Sequence, residues 1–214
     1  MKYLHRTAGI ITAFCLMIIL FITSVEAVVY WTPGYFEKEY TKYNVLDSLP
    51  SMTMDDLLHV TTTMGGEQRE FFNEREIAHM EDVQVLFLKA LSIRRVCLIL
   101  GAGLLILMAA TKARMGRVLP PSLCMGTGLF FALITVLGLI ISTDFTKYFI
   151  MFHHIFFSND LWILDPATDM LINIVPEGFF MDTAARIALL FGSLSLILFG
   201  VCLLLTIRNR RKEG

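Results

Sequence analysis

Four stretches of this chain are apolar enough and long enough to cross a bilayer. A spanning helix needs about 20 apolar residues, and residues 8–30, 96–111, 122–142 and 184–207 meet or approach that length. The second run is short, but a helical stretch precedes it, so one continuous helix is expected to enter the bilayer there. Arg94 and Arg95 would then extend their charged heads towards the interface at its outer end. The composition agrees, because 56% of the 214 residues are hydrophobic and only 17% are charged. A soluble domain carries about 25% charge. Such apolar content excludes a disordered chain, and no basic stripe or motif of a nucleic-acid binder is present. The expected class is all-α: a polytopic membrane protein of four transmembrane helices with a small extracellular helical cap.

Charge placement orients the spans. Lys2, Arg6, Lys112, Arg114, Arg117, Arg208, Arg210, Arg211 and Lys212 lie in short segments whose single acid is Glu213. The remaining acids fall between spans 1 and 2 or between spans 3 and 4, including Glu26 and Asp182 at span ends. The positive-inside rule therefore assigns residues 1–7, 112–121 and 208–214 to the cytoplasm, and 31–95 and 143–183 to the outer face. Residues 2–27 also have a basic start and the end Val25-Glu26-Ala27, which a signal peptide would share. The apolar stretch exceeds the usual 7–15 residues, and Glu26 sits badly beside a cleavage site. It is read as a retained span, since cleavage would also carry one terminus across the membrane.

Cys15, Cys97, Cys124 and Cys202 all fall inside spans and read as small buried apolar groups. No disulfide framework and no cysteine nucleophile is expected. The spans lack a central charge of the kind an ion pathway uses. There is no phosphate loop, serine elbow or zinc-binding His-Glu-x-x-His helix.

The outer segments therefore carry the chemistry. Tyr30-Trp31 suits the headgroup level and Pro33-Gly34 turns the chain. Thr53-Met54-Asp55-Asp56 resembles a capping box with Asp as its acid, and Gly65-Gly66 ends the helix it starts. Residues 67–92 have helical period, with Phe72, His79, Val83, Leu86 and Ala90 on one stripe. Residues 146–157 form another helical stretch, and Phe149, His153, Phe156 and Phe157 share its face. Asp165-Pro166 reads as a cap and first turn of a helix running to Ile174. His79 interrupts an apolar stripe with Glu76 and Asp82 one turn away on either side, and His153 interrupts an aromatic one. A lone histidine on such a face is usually a satisfied core residue; two of them point to a site. His59 reads as solvated and His5 as a polar flank.

Phe71-Phe72-Asn73-Glu74-Arg75-Glu76-Ile77-Ala78-His79-Met80-Glu81-Asp82-Val83 resembles one block of the bacterial lipoprotein intramolecular transacylases. Phe152-His153-His154-Ile155-Phe156-Phe157-Ser158-Asn159-Asp160-Leu161-Trp162-Ile163-Leu164-Asp165-Pro166 resembles the other, more specific block. The likeness covers nearly the whole chain. It implies catalytic roles for His79 and His153 at the cap–membrane boundary, with His154 at a variable position. The reaction it implies moves the sn-2 acyl group of a diacylglyceryl-cysteine lipoprotein to the cysteine's own α-amine, giving the lyso form. That amine has a pKa of about 8 and must lose a proton before it attacks. Two histidines suit a base and an acid near neutral pH, in either order.

Phe72, Glu76, Tyr148, Phe149, Phe152, Phe156, Phe157, Asn159 and Trp162 are expected to line the substrate pocket, with Phe71 as a further apolar wall. Asn159, Trp162, Tyr148 and the Arg94–Arg95 pair are candidate oxyanion donors. Ester-to-amide exchange calls for no cofactor and no metal. The expected partners are the diacylated lipoprotein and membrane lipid, with the enzyme a monomer in the bacterial cytoplasmic membrane. The alternatives are a zinc-dependent membrane hydrolase using His79, His153 and His154, and a non-enzymatic partner-binding membrane protein. Adjacent His153 and His154 diverge by about 100° on a helix, a poor chelate.

Overall fold

A computed structural model describes residues 2–49, 52–62 and 71–212. The described residues form nine helices and no strand. They are α1 (Lys2–Tyr30), α2 (Tyr35–Lys42), α3 (Val45–Ser48), α4 (Met54–Thr62), α5 (Glu74–Ala110), α6 (Met115–Ile141), α7 (Phe145–Phe156), α8 (Leu171–Ile174) and α9 (Glu177–Arg211). Four of them, α1, α5, α6 and α9, have the length and hydropathy to cross a membrane. The chain divides into two compact units, one of residues 1–26, 90–140 and 186–214, the other of 27–89 and 141–185.

In the first unit, α1 has 44% of its apolar window buried within the protein, against 17%, 11% and 17% for α5, α6 and α9. Those three leave large apolar side chains open, among them Ile99, Ile106, Leu189 and Leu204. Such a surface is stable only against lipid, where a helix satisfies its own backbone. Small residues let α1 approach α6 closely. A Cβ on Gly126 would lie 2.7 Å from the Ala13 methyl, and one on Gly9 would lie 2.7 Å from Ser122 Oγ. Arg94 grips Glu26 with both guanidinium NH2 groups, so this arginine is tied to α1. Planar guanidinium and carboxylate match in such a pair, which fixes the facing of α5 on α1.

Helix α5 is 37 residues long, about 55 Å at 1.5 Å per residue. A bilayer crossing takes about 20 residues, so α5 is longer than one span requires. Two boundaries differ from expectation. Residues 115–121 belong to α6 rather than to the turn, which shrinks to 111–114. Pro120 cannot donate to the Gly116 carbonyl four residues back, and the Asn209 side-chain amide of α9 donates to that carbonyl instead. Helix α9 starts at Glu177, seven residues ahead of the expected span.

The second unit is built around two short helices that hydropathy does not announce. Gly34, at φ 65°, turns the chain into α2 in a left-handed conformation that favours glycine. Tyr35, Glu39 and Tyr40 on α2 are buried, and Phe36 and Tyr40 stack on Phe179 of α9. The Tyr43 hydroxyl sits 2.8 Å from the Gly178 carbonyl and 2.9 Å from Asp182 Oδ2. A Cβ on Gly178 would fall 2.4 Å from the Tyr43 ring, so glycine is required there. At α4 the expected box closes: Asp56 N–H donates to Thr53 Oγ1, and Thr53 N–H donates back to Asp56 Oδ2. The Thr53 hydroxyl also donates to Asp56 Oδ2, and this bond, with that from Thr53 N–H, holds the Asp56 carboxyl below its usual range. Gly65-Gly66 lies outside the described residues.

Candidate functional site

The site starts from how two helices are capped. Asn73 and Glu76 form a reciprocal box: Glu76 N–H donates to Asn73 Oδ1 and Asn73 N–H donates to Glu76 Oε2. Helix α5 therefore begins at Glu74, and Phe72 precedes it instead of lying on its stripe. Helix α7 begins where Asp144 accepts from Lys147 N–H. It ends at Phe157, whose extended backbone turns its buried ring inward.

A polar lacing fixes the start of α5 to the segment after α7. Asn73 Nδ2 donates to Asp169, Arg75 to the Asp160 carbonyl, and Asn159 Nδ2 to Asp82. Glu76, 1% exposed, completes it by accepting from Leu171 N–H at 2.6 Å. Both Glu76 oxygens are thus taken by backbone N–H groups. The segment that read as a helix from Asp165 is a turn with only α8 beyond it. Asp165 Oδ1 accepts from Ala167 N–H, and Asp169 Oδ2 accepts from Asp165 N–H. The turn closes on the Asp165 carboxyl and carbonyl, the latter accepting from Thr168 and Asp169 N–H. The bond from Asp165 N–H and that from the Asn73 amide hold the Asp169 carboxyl below its usual range.

That lacing brings His79 and His153 together. Both are buried, 7% and 8% exposed, with ring centroids 6.1 Å apart. Around His153 stand Phe149 edge-on at 4.4 Å, Phe152 at 5.5 Å and Phe157 at 5.6 Å. Trp162 stacks on the His153 ring at 4.8 Å. Phe157 also meets His79 edge-on at 5.2 Å.

His153 Nδ1 lies 2.7 Å from the Phe149 carbonyl. A carbonyl only accepts, so that nitrogen carries the hydrogen and the neutral ring keeps its lone pair on Nε2. Among the described residues, His79 Nδ1 is buried without a hydrogen-bond partner. Burial pushes the His79 pKa down to about 4, and the neighbouring His153 adds to the shift against a small opposing pull from Asp82. Burial also lowers His153, with the Phe149 carbonyl opposing and His154 assisting. Both rings are neutral at pH 7, an acceptor state.

The other expected pocket residues divide. Phe149, Phe152, Phe157 and Trp162 enclose the histidines, while Phe156 lies one step out against Phe152 at 4.6 Å. Phe72 and Tyr148 make no ring contact with either histidine, and Asn159 is committed to Asp82 and to Leu161 N–H. Exposed His154 meets the far partner of the stack, Trp162, at 5.0 Å. Sequence reasoning missed Phe180, which backs Phe149 at 5.1 Å, and Asp169. Neither carried a motif, and Asp169 sat in a stretch that read as helix. Trp162 Nε1 is the second buried nitrogen here without a partner among the described residues. Among the described residues, no three His, Cys, Asp or Glu side chains converge as a metal site would require.

Fold and site together define a class: an all-helical integral membrane protein with paired neutral histidines in an aromatic enclosure. The family profile described as lipoprotein intramolecular transacylase Lit matches residues 10–180, and the chain belongs to that family of enzymes. Solved structures of the membrane integral lipoprotein intramolecular transacylase Lit from Bacillus cereus share the fold. One is 22% identical with a TM-score of 0.79, covering 99% of this chain and 100% of that one. Two others carry a substitution of one histidine. The arginine variant is 22% identical at TM-score 0.73, covering 100% of this chain and 96% of that one. The alanine variant is 22% identical at 0.75, covering 98% and 97%. A comparison with curated proteins finds no match.

Proposed function

We propose that His153 is the base and His79 the acid of an O-to-N acyl migration within one diacylglyceryl lipoprotein. The observation that carries this is the fixed tautomer of His153, set by the Phe149 carbonyl, beside a buried His79 nitrogen with no partner of its own. The substrate's α-amine, neutral in an apolar enclosure, attacks the sn-2 ester carbonyl. As the C–N bond forms, the amine proton passes to His153 Nε2. When the C–O bond breaks, the pair returns one proton to the glyceryl oxygen through His79. Both rings end neutral, so the pair holds a proton only during the reaction. A His79 imidazolium with a pKa of about 4 gives that proton up readily.

Trp162 Nε1–H supplies the oxyanion donor. Of the candidates, Asn159 is committed to Asp82 and Arg94 to Glu26, whereas the indole N–H is buried and unspent. A donor waiting in an apolar site is stabilised when the substrate brings it an acceptor. The rigid rings of Phe149, Phe152 and Phe157 exclude water and hold amine and ester in attack geometry, a contribution of about 7–11 kcal/mol in model reactions. Glu76 acts by positioning α5 rather than by touching substrate. The charge asymmetry of the chain favours both termini in the cytoplasm and the site on the outer face of the membrane.

The test is purified protein with a diacylglyceryl lipopeptide bearing a free N-terminus. The product should keep its mass, carry one acyl chain on nitrogen and expose a glycerol hydroxyl in tandem mass spectrometry. Both chains remaining on glycerol would overturn the reading, and an N-acetylated substrate should be inert.

A further inference from the structure

One cavity is lined by residues of the first unit alone and by neither His79 nor His153. It measures about 700 Å³, inside the size range of small-molecule sites. Arg6 of α1, Lys112 and Arg114 of the turn after α5, Arg117 of α6 and Arg210 of α9 line it. No carboxylate does so among the described residues. Arg6, Lys112, Arg114 and Arg210, brought from three segments around one space, repel each other unless an anion joins them.

The frame of the cavity is bonded in place. His5 and Thr111 are joined at 2.9 Å, which fixes the start of α1 to the end of α5. The Asn209 amide occupies the carbonyl that Pro120 cannot serve, which fixes the end of α9 to the start of α6. Lys112, at φ 53°, closes the end of α5: its N–H donates to the Ala109 carbonyl and the Ala113 N–H to that of Met108. The remaining wall includes apolar Ile10, Val118, Pro121 and Met125 beside Ser122 and Thr206. The lining thus offers cations for a phosphate and apolar side chains for an acyl chain.

We propose that this cavity binds the phosphate headgroup of an anionic phospholipid. Basic pockets between membrane helices recognise lipid phosphates in this way, and the apolar wall favours a lipid over free phosphate. The site stands independently of the catalytic reading.

The experiment is native mass spectrometry of the full chain from mixed micelles of phosphatidylglycerol and phosphatidylcholine. The intact protein should retain one phosphatidylglycerol and no phosphatidylcholine. In R114Q/R210Q the apparent affinity should fall by about 10–30-fold, the worth of two interfacial cations. R208Q/R211Q removes the same amount of charge from the end of α9, from residues that do not line the cavity, and should retain the lipid. Equal loss in both pairs would mean a diffuse basic surface. Equal retention of phosphatidylcholine would overturn the proposal on the intact protein alone, whatever the folding of the variants. Displacement of the lipid by millimolar inorganic phosphate would mean a free-anion site, and would overturn it too.

Discussion

His153 donates its Nδ1–H to the carbonyl of Phe149, one turn back on the same helix, at 2.7 Å. This bond leaves one tautomer and aims one lone pair, so the base does not depend on a flexible third residue. His79→Ala and His153→Ala should each lower turnover by about 10²–10⁴-fold, the usual worth of an acid–base group. The double variant should cost little more than the worse single one, because groups that act as a unit are not additive. His59→Ala and His154→Ala, both at exposed positions, should keep most activity. The measurement is turnover at equal concentration of monodisperse protein. Near-full activity in either the His79 or the His153 variant would sink the pairing, and a dead but folded His154 variant would move the role to the neighbour.

Trp162→Phe separates the indole N–H from its ring. The stack on His153 at 4.8 Å survives in phenylalanine, whereas the buried donor does not. Loss of one oxyanion donor costs about 10²–10³ in kcat, and KM should change little because the donor acts on charge that develops during the reaction. A variant with unchanged kcat would show that the oxyanion is held elsewhere. Equal changes in kcat and KM would instead point to lost packing.

Glu76→Gln tests the lacing. The carboxylate accepts from two backbone N–H groups, those of Asn73 and Leu171, and an amide can offer only one acceptor. One buried N–H is left facing an NH2 group, a cost of about 1–3 kcal/mol. Thermal unfolding in detergent should show a lower midpoint for Glu76→Gln and an unaltered one for exposed Glu74→Gln. Equal midpoints would mean that Glu76 does not hold the segment after α7.

Hydropathy and short-range order made the spans and the two histidines legible, because the FHHIFFSND run and the His79 stripe are local in sequence. The second unit was less legible for a physical reason. Helix α2 is eight residues long and buries Glu39 together with Tyr35 and Tyr40, too short and too polar for hydropathy to single out. Asp165-Pro166 has the chemistry of a helix start, but Asp169 takes the Asp165 N–H from within the turn, a choice set by Asn73 nearly a hundred residues away. Residues 115–121 are expected in a turn, yet α6 runs through Pro120 and Pro121, and Asn209 of α9 donates to the Gly116 carbonyl that Pro120 cannot serve. The Asn73 and Asn209 bonds both come from partners distant in sequence.

The histidines also set how stability varies with pH. In the unfolded chain a histidine titrates near 6.5, whereas burial holds folded His79 at about 4 and lowers His153. As pH falls through 6.5 the unfolded state takes up protons that the folded state refuses, so stability drops. The loss from His79 accumulates down to about pH 4 and then stops, since both states are protonated below it. Asp169 acts in a lower window. Its folded pKa lies under the ordinary 3.8, so its contribution is present above that value and is lost as pH falls through the folded pKa. The unfolding midpoint in detergent should therefore decline from pH 7 to pH 4, with a shallower slope in His79→Ala. Asp169→Asn should leave that upper slope intact and remove only part of the fall below pH 4. An intact protein whose midpoint stays flat between pH 7 and pH 4.5 would show that His79 is protonated where it stands, and with it the neutral pair would be lost.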